Sequence, residues 1–277
     1  MTTISIITAC KSNESLSNIE ALVASVQTQG DVLAVCEWIW AINGPGAIDL
    51  ARFVQERAGC FVKVHVLTDD LLLGPGAARA IAIQHATGDF ICIQDSDDLM
   101  LPWRLQRQLE MIQEADVDVL YTKLVLFESN EELPALTAVA RVAGIKRIGA
   151  LRLALHCAPR NPSAFIRRRV FEHSSYHPTL RISEDYWLWC HVILNGGSIA
   201  ESREPLVAYR IDRNFFHRRR GFEYFRSDVL VKTHFVTCWL GMPRVVSLLL
   251  SAVSSAHRLL GTSLFSHLYR ITHHVRH

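Results

Sequence analysis

The sequence contains no apolar segment long enough to cross a bilayer and no paired cysteine motif. None of its hydrophobic runs approaches the roughly 20 residues that a membrane-spanning helix needs. The seven cysteines are odd in number and irregularly spaced, and no two of them form a CxxC pair. Several lie in apolar runs, where cysteine behaves as a small hydrophobe. A reducing compartment fits this pattern best, so we expect a cytoplasmic protein.

The sequence also shows no internal repeat and no histidine metal motif, and no secretion signal is apparent in it. Its first residues, Met1 to Ile4, contain no basic region followed by an apolar core, so no signal peptide is expected. The thirteen histidines include no HExxH pattern, and His273-His274 is interpreted as part of an exposed tail. With 277 residues, 49% of them hydrophobic, the chain can form one large α/β domain or a domain with an appendage.

Acidic side chains are scarce in the C-terminal part. Residues 213–277 contain ten Lys/Arg and two Asp/Glu, a balance of +8, whereas the whole chain carries only +2 and residues 1–212 therefore −6. A basic tail on an acidic body suggests an acidic partner such as anionic lipid, nucleic acid or another subunit. A solvated basic face explains the same charges, so charge alone leaves these alternatives open.

Apolar runs with strand character alternate with helix-periodic segments, which predicts βαβ units and a mainly parallel sheet flanked by helices. The predicted strands cover residues 4–9, 38–42, 61–67, 90–94, 117–127, 164–166 and 199–210, the last as one strand or a strand pair. The predicted helices cover residues 16–26, 48–57, 77–87, a segment after Pro102, a short piece at 148–155, and 183–194 with Ser183 as the candidate N-cap. Residues 244–260 predict a basic amphipathic helix, which packs on the protein or lies on a membrane.

Three carboxylates follow one of the predicted strands. The run Phe90 to Ile93 ends in Gln94 and then in Asp95, Asp97 and Asp98. Carboxylates this close repel one another unless a cation lies among them, and Mg²⁺ or Mn²⁺ held jointly with substrate phosphates is one solution. An Asp-rich turn that precedes a helix is the other interpretation.

Polar clusters follow three of the predicted strands: the loop after Ala9, Asn43-Gly44 and the aspartates from Asp95 to Asp98. In open α/β sheets, ligands bind beyond the carboxyl ends of the strands. One ligand site that uses all three clusters is therefore expected.

The order and spacing of these motifs over residues 3–212 resemble the family 2 glycosyltransferases, nucleotide-sugar-dependent enzymes with the GT-A fold. The residues that carry the resemblance are Ile4 to Asn13, Asn43-Gly44-Pro45, Gly74 to Arg79, Ala86 to Asp89, Asp95 to Asp98, Asn161-Pro162-Ser163, Glu184-Asp185-Tyr186, Glu204-Pro205-Leu206 and Tyr209-Arg210. The resemblance implies a GT-A domain at residues 1–212, with a donor half at 1–100 and an acceptor half at 101–212. A basic helical extension would then occupy residues 213–277.

The resemblance also implies roles for the donor side. It assigns the nucleotide sugar, with a UDP-sugar favoured, to Thr8, Ala9, Asn43, Arg79, Asp95 and Ser96. Asp95 and Asp97, the DxD pair, would bind Mn²⁺ or Mg²⁺, and Asp98 could ligate beside or instead of Asp97. Three positions depart from the family pattern: Asn43 stands for the usual Asp, Ala80 for an Asn and Asp212 for a His.

For the acceptor side, the resemblance implies inversion by direct displacement with a carboxylate general base. Asp185 is the first choice and Glu184 the second, although acids in a first helical turn also stabilise the helix dipole. The acceptor would be a glycan, a lipid-linked molecule or a small molecule, and no nucleic-acid partner is expected. The tail would close the acceptor side, form a homodimer contact or touch the inner face of the membrane.

A non-catalytic binding protein on the same fold, recruited through the tail, is the alternative from another class. The presence of Asp95, Asp97, Glu184 and Asp185 argues against it, because a degenerate copy has no reason to keep all four. A nucleotidyltransferase is a weaker alternative, since no basic glycine-rich signature lies near residue 10.

Overall fold

Four parallel strands form the first half of the sheet, as predicted. A computed structural model describes residues 2–129, 144–155, 157, 159–212 and 215–261, so the predicted tail at His273-His274 lies outside the described residues. The strands are β1 (Ile4–Lys11), β2 (Cys36–Asn43), β3 (Lys63–Asp69) and β4 (Phe90–Ile93), in the order β3-β2-β1-β4. They are joined by α1 (Leu16–Gln27), α2 (Ala47–Ala58) and α3 (Pro75–Gln84).

The second half of the chain extends the same sheet with mostly antiparallel pairings. Its elements are β5 (Leu99–Met100), α4 (Arg104–Glu114), β6 (Val119–Phe127), β7 (Ile145–Ile148), α5 (Ala150–Leu155), β8 (Phe165–Arg167), α6 (Glu184–Leu194), β9 (Ile199–Arg210), α7 (Phe215–Arg218), α8 (Phe222–Leu240) and α9 (Arg244–Ser255). The order continues from β4 as β8-β6-β9-β5, and β7 pairs with β9. Because β8 is antiparallel to both β4 and β6, whereas β6 pairs with β9 in parallel, the complete sheet is mixed.

The core has two layers because successive strand side chains point to opposite faces. Along β2, Trp38 and Trp40 pack with α1, α2 and α4, whereas Ile39 and Ala41 pack with the helices on the other face. Those helices are α3, α5, α6 and α8. The arrangement is an α/β sandwich whose parallel strands all end at one edge, where the polar loops lie.

The C-terminal helices pack on this body. Val231 and Phe235 of α8 are fully buried among side chains of α6 and the sheet. Helix α9 then packs against α8, so the predicted helical character of the extension is confirmed where it is described. No helix in the described part of the chain has the length and apolar content that crossing a bilayer requires.

Ser183 precedes α6 as predicted, but its side chain does not cap the helix. Its backbone is left-handed, with φ of 62°, and its hydroxyl donates to Asp228 Oδ1 of α8 at 3.3 Å. The hydroxyl is therefore used to attach α8 to the start of α6 rather than to satisfy the first-turn amides.

Candidate active site

A cavity of about 340 Å³ lies where the end of β4, the start of α6 and the C-terminal helices meet. Arg79 and Asp95 line it from the first half of the chain, and Glu184 and Asp185 line it from the second. The C-terminal region contributes Phe215, Arg219, Tyr224, Asp228 and Arg258 to its wall. The cavity thus brings together Asp95 and Arg79 from the predicted donor side with Glu184 and Asp185 from the predicted acceptor side. The other predicted site residues do not line it.

Arg79 connects the two groups of acids. Its Nη2 donates to Asp95 Oδ1 at 2.6 Å, and its Nη1 donates to Glu184 Oε1 at 3.1 Å. Burial opposes the charge on the guanidinium, but Asp95, Tyr176 and Glu184 outweigh it and raise its pKa above the ordinary value. Arg79 is only 7% exposed, so it is a buried bridge between β4 and α6 and not a surface cation.

Glycine makes the approach of α3 to α6 possible. A Cβ added to Gly76 would lie 2.6 Å from Glu184 Cγ and 2.9 Å from Glu184 Cβ. Gly76 is in the first turn of α3, and Arg79 follows one turn later. The Gly74-Pro75-Gly76 segment therefore sets the distance at which Arg79 reaches Glu184.

The two aspartates that close the DxDD loop have different surroundings. Asp98 is 1% exposed, and its Oδ1 accepts from the backbone N–H of Arg210 at 2.8 Å. Asp97 is partly buried, and burial together with the charges of Asp95 and Glu14 raises its pKa to about 6. Asp98 thus holds the end of β9, whereas Asp97 is a carboxylate surrounded by other carboxylates.

This donor set fits a cation that a substrate helps to bind. Among the described residues, no three His, Cys, Asp or Glu side chains are arranged to hold a metal ion. Mg²⁺ commonly binds through one or two carboxylates together with substrate phosphates, so Asp95 and Asp97 suit such a shared site. Burial, together with the charges of Asp95 and Glu14, raises the pKa of Asp97. A cation would offset the charges of these neighbouring carboxylates, and this property favours the metal interpretation of the loop.

Glu184 and Asp185 begin α6 and differ in what they contact. Glu184 is bound by Arg79, and burial followed by the charge of Asp185 raises its pKa to about 7. Asp185 accepts from the backbone N–H of Tyr186 at 2.8 Å, and burial raises its pKa above the usual range for Asp. Of this pair, Glu184 is therefore engaged in holding Arg79, and Asp185 is the one that faces the cavity without an arginine ion pair at its carboxylate among the described residues.

Several predicted donor-binding residues have structural contacts instead. Thr8 is fully buried, and its Oγ1 accepts from Trp38 Nε1 at 3.0 Å, so its side chain does not face a ligand. Asn43 donates to Cys10 O at 3.0 Å and accepts from Leu73 N–H at 3.1 Å. Its amide joins the end of β1 to the segment before α3.

The two other residues predicted to bind the donor lie at the ends of neighbouring strands. Ser96 is 6% exposed and donates to Glu14 Oε2 at 3.2 Å, which joins the β1 and β4 loops. Ala9 is partly buried in β1. The three predicted clusters at the strand ends are thus connected by hydrogen bonds, although not every predicted side chain faces the cavity.

The sequence did not reveal the buried residues that hold the end of β4 and the side chain of Arg79 in place. Arg104 of α4 is fully buried and donates to Gln94 Oε1 at 2.6 Å and to Ile93 O at 2.8 Å, at the end of β4. Tyr176 lies under Arg79, with 5.7 Å between ring and guanidinium, and donates to Asn161 Oδ1 at 2.7 Å. Neither residue belongs to a sequence motif. The only local feature that could have indicated a role for Arg104 is its i, i+4 spacing from Gln108, with which it forms a hydrogen bond.

Arginines from the C-terminal region were also missed. Arg219 lies over the ring of Phe215 at 4.4 Å and donates to the Tyr209 hydroxyl. Arg258 donates to Asp228 Oδ2 at 2.9 Å and to Arg219 O at 2.9 Å. The basic composition of the tail was evident from the sequence, but its position at the cavity was not.

Comparison with known proteins identifies relatives of this chain. The family model described as "Glycosyl transferase family 2" matches residues 5–174. An uncharacterized glycosyltransferase of Methanocaldococcus jannaschii, MJ1057, is 28% identical over 71% of this chain and 68% of its own length. The Escherichia coli protein named UDP-Glc:alpha-D-GlcNAc-diphosphoundecaprenol beta-1,3-glucosyltransferase WfgD is 26% identical over 63% of this chain and 64% of its own length.

Solved structures share the fold. Residues 1–349 of Staphylococcus aureus TarS, solved with UDP-GlcNAc, superpose with a TM-score of 0.69 at 17% identity, over 98% of this chain and 78% of that one. The mannosyltransferase PcManGT of Pyrobaculum calidifontis, solved with GDP-Man and Mn²⁺, gives a TM-score of 0.60 at 13% identity, over 97% and 79%. The fold class expected from the sequence is therefore confirmed.

Proposed function

The chain belongs to glycosyl transferase family 2 and is a glycosyltransferase, and on that premise we propose that it is an inverting enzyme that transfers a sugar from a nucleoside-diphosphate sugar to an acceptor hydroxyl. The observation that carries the proposal is the bridge of Arg79 between Asp95 and Glu184. This bridge fixes the loop of Asp95 against the helix that presents Asp185, which supports a single cavity in which leaving group and base would meet.

The donor side would bind the diphosphate. Asp95 and Asp97 would hold Mn²⁺ or Mg²⁺, which, when bound, neutralises charge on the leaving diphosphate as a Lewis acid. Asp98 is assigned a positioning role, because its carboxylate accepts from the backbone of Arg210. The structure of PcManGT in complex with GDP-Man and Mn²⁺ supports the binding of a divalent cation by a protein of this fold.

Asp185 would act as the general base. The acceptor hydroxyl gives its proton to the Asp185 carboxylate while its oxygen bonds to the anomeric carbon, and the bond from that carbon to the diphosphate oxygen breaks with its electron pair. Attack opposite the leaving group inverts the anomeric configuration. A carboxylate with a raised pKa holds the abstracted proton better than an ordinary Asp does, which suits this role.

A uridine nucleotide and a lipid-linked glycan acceptor are the substrates that we favour. The printed name of WfgD specifies UDP-Glc and a diphosphoundecaprenol-linked acceptor, and TarS was solved with UDP-GlcNAc. The amide of Asn43 is engaged with two backbone groups, so discrimination of the base would come from the surrounding loop backbone as much as from this side chain.

Thermal unfolding with a panel of nucleoside diphosphates, each with and without Mn²⁺, tests the donor site. UDP with Mn²⁺ at about 100 times its Kd stabilises the native state by about 2.7 kcal/mol. For a chain of this size that free energy corresponds to a rise in Tm of about 5–10 °C. Asp97→Asn should abolish the metal-dependent part of the rise.

Asp49→Asn is the matched control, because Asp49 has the same charge, is exposed and lies on α2 outside the cavity. Its Tm should rise as the wild type does. A folded wild-type protein whose Tm responds to no nucleotide would overturn the donor assignment, and a rise that Asp97→Asn retains would overturn the metal assignment.

A further inference from the structure

Three basic side chains converge on one carboxylate beside the cavity. Glu201 of β9 accepts from Lys123 Nζ of β6 at 2.5 Å and from Arg160 Nη1 at 2.8 Å, both on Oε1. Arg152 Nη2 of α5 donates to the other carboxylate oxygen, Oε2, at 3.5 Å. We call Lys123, Arg152, Arg160 and Glu201 the basic cluster. All four residues belong to the predicted acceptor half of the chain.

Positive charge is in excess in the basic cluster. In the part of the chain that the structure describes, Glu201 is the only carboxylate that forms an ion pair with Lys123 or Arg152, so these two cations share one negative charge. Burial, followed by the charge of Arg160, lowers the pKa of Lys123. The second of these causes is repulsion between like charges. An anion that joined the basic cluster would reduce this repulsion.

A ligand can reach these cations. The side chains of Lys123 and Arg152 are 21% and 28% exposed, whereas the side chain of Glu201 is 8% exposed. Arg160 lines the cavity. The basic cluster is therefore accessible through its cations, and the carboxylate that they surround is the least exposed of its members.

A buried hydroxyl beside the basic cluster has an unmade hydrogen bond. Tyr121 of β6 is fully buried, and the Arg160 guanidinium lies 5.9 Å from its ring centroid. Among the described residues, nothing forms a hydrogen bond with the Tyr121 hydroxyl. Burial, and after it the charge of Glu201, raises the pKa of Tyr121, so this hydroxyl lies close to the carboxylate. Buried polar groups in native proteins nearly always have a partner, which indicates that a further polar group binds here.

The cavity has different charges at its two ends. At one end, the single cation Arg79 is shared by the carboxylates of Asp95 and Glu184. At the other end, Arg160 belongs to the basic cluster, in which cations outnumber carboxylates. The proposed donor diphosphate uses the first end. Since Asp185 and Arg160 both line the cavity, an acceptor whose hydroxyl meets Asp185 can place an anionic substituent at the second end.

Phosphate is the anion that matches this group of side chains. The planar guanidinium of an arginine can bind two phosphate oxygens at once, and lysine adds a compact positive charge. The basic cluster offers two guanidinium groups and one ammonium group. A diphosphate ester carries more negative charge and more acceptor oxygens than a carboxylate does, and so uses all three cations.

We propose that the basic cluster binds a diphosphate group carried by the acceptor. Lys123, Arg152 and Arg160 donate to its phosphate oxygens while the acceptor hydroxyl meets Asp185. The substrate class is then a sugar joined to its carrier through a diphosphate. The role as acceptor rests on the proposed function, but binding of the diphosphate depends on neither the donor nor a metal ion.

Titration calorimetry of the full chain with geranyl diphosphate in EDTA tests the proposal. This probe contains the diphosphate but no sugar, and EDTA removes the cation that the donor site would require. The wild type should bind the probe, and it should bind geraniol at least about 10-fold more weakly. Lys123→Gln/Arg152→Gln should bind the probe at least about 10-fold more weakly than the wild type does. Glu201→Gln should bind it about 3-fold or more tightly, because the competing carboxylate is neutral.

A matched variant shows whether the basic cluster itself is responsible. Arg52→Gln/Lys63→Gln also removes two cations, both of them exposed and outside the cavity, and it should bind the probe as the wild type does. Circular dichroism checks that every variant is folded. No binding by folded wild type, or equal binding by Lys123→Gln/Arg152→Gln, would overturn the proposal. Unchanged or weaker binding by Glu201→Gln would identify the four side chains as a purely structural network and overturn it as well.

UDP in EDTA separates this site from the donor site. UDP should not displace the probe, and Asp97→Asn should bind the probe as the wild type does. Displacement by UDP would place the probe in the donor site and overturn the proposal. If UDP with Mn²⁺ fails to raise the Tm, the donor assignment falls, whereas the expected binding of geranyl diphosphate in EDTA stays the same. The two failures are therefore distinguishable.

Discussion

Arg79 forms ion pairs with two carboxylates from different halves of the chain, and its substitution should lower the free energy of unfolding. Removal of one partner from a buried ion pair leaves uncompensated charge and destabilises by about 3–5 kcal/mol. We expect Arg79→Met to lower the free energy of unfolding by this amount in urea titrations, because Asp95 and Glu184 then face each other without a cation.

Two further variants separate this charge effect from packing. Arg79→Met/Glu184→Gln should recover part of the loss, because one of the two carboxylates is then neutral. Arg52→Met breaks a surface ion pair with Asp49, whose side chains are 73% and 81% exposed, and should change stability by less than about 1 kcal/mol. A loss that is equal in the single and double Arg79 variants would contradict the charge argument.

The pair Glu184 and Asp185 should determine the acid limb of activity. A base must be deprotonated, and both pKa values are raised, so kcat/KM should fall as the pH drops through a value above the ordinary Asp range. Glu184→Gln removes a neighbouring negative charge and should move this limb to lower pH. Asp185→Asn should reduce kcat by about 100-fold or more with unchanged affinity for the donor.

A pH–rate profile and a donor titration check these expectations. An acid limb that Glu184→Gln leaves in place would show that the two carboxyls do not titrate as a pair. A kcat that Asp185→Asn leaves intact would remove Asp185 from the role of base.

Sequence reasoning located the charged residues of the site better than their partners. Asp95, Glu184 and Asp185 line the cavity. They could be identified from the sequence because acids at strand ends and helix starts are conspicuous there. The buried state of Arg79 and Arg104 was not predictable, since burial of an arginine depends on partners that are distant in the chain. The assignment of Thr8 to donor binding stays a prediction, and its hydroxyl accepts a hydrogen bond from Trp38 in the core.

At the scale of elements, the contact between α3 and α6 should tolerate no added side-chain atom. Gly76→Ala would place a Cβ 2.6 Å from Glu184 Cγ, so the helices must separate or Glu184 must move. Overpacking of this kind costs about 1–3 kcal/mol, or a Tm lower by several degrees. Differential scanning calorimetry measures the change.

Gly149→Ala is the control for this substitution, because no atom lies within 4 Å of a Cβ added there. It should leave the Tm within about 1 °C of the wild type. If both alanine variants melt alike, close packing at Gly76 is not what sets the distance between α3 and α6.

Strong periodicity made most elements predictable, and its absence explains the strands that were missed. The predicted strand at 199–210 matches β9, and the helix at 48–57 matches α2 within one residue at each end. Strand β5 has only two residues, and β7 contains Lys146 and Arg147 in its four, so neither shows an apolar pattern. Both are strands only because β9 offers them a pairing partner.

At the scale of the whole molecule, α8 packs the C-terminal region into the main core. The division into residues 1–212 and 213–277 stays a prediction, and the packing of Val231 and Phe235 in the main core bears on it. We expect a fragment of residues 1–212 to lack cooperative unfolding and to bind hydrophobic dyes, because it exposes the surface that α8 covers. Near-ultraviolet circular dichroism and thermal scans test this.

Two point variants on α8 complement the fragment. Phe235→Ala, at a fully buried position, should cost about 3–5 kcal/mol. Leu230→Ala, at a position that is 44% exposed, should cost much less. A fragment that unfolds cooperatively, with both variants near wild-type stability, would make residues 1–212 an independent domain.

The serine side of α9 has a consequence for local stability. The hydroxyls of Ser247, Ser251 and Ser255 are buried without a hydrogen-bond partner among the described residues, and the helix buries little apolar surface on α8. Segments with few buried apolar contacts open at a lower free energy than the core does. In native-state hydrogen exchange, the amides of α9 should therefore exchange well before those of β1, whose Ile4 and Ile6 are fully buried. Helix α9 then opens as one cooperative unit and the rest of the core as another. A contact that covers α9 would slow hydrogen exchange in that helix alone.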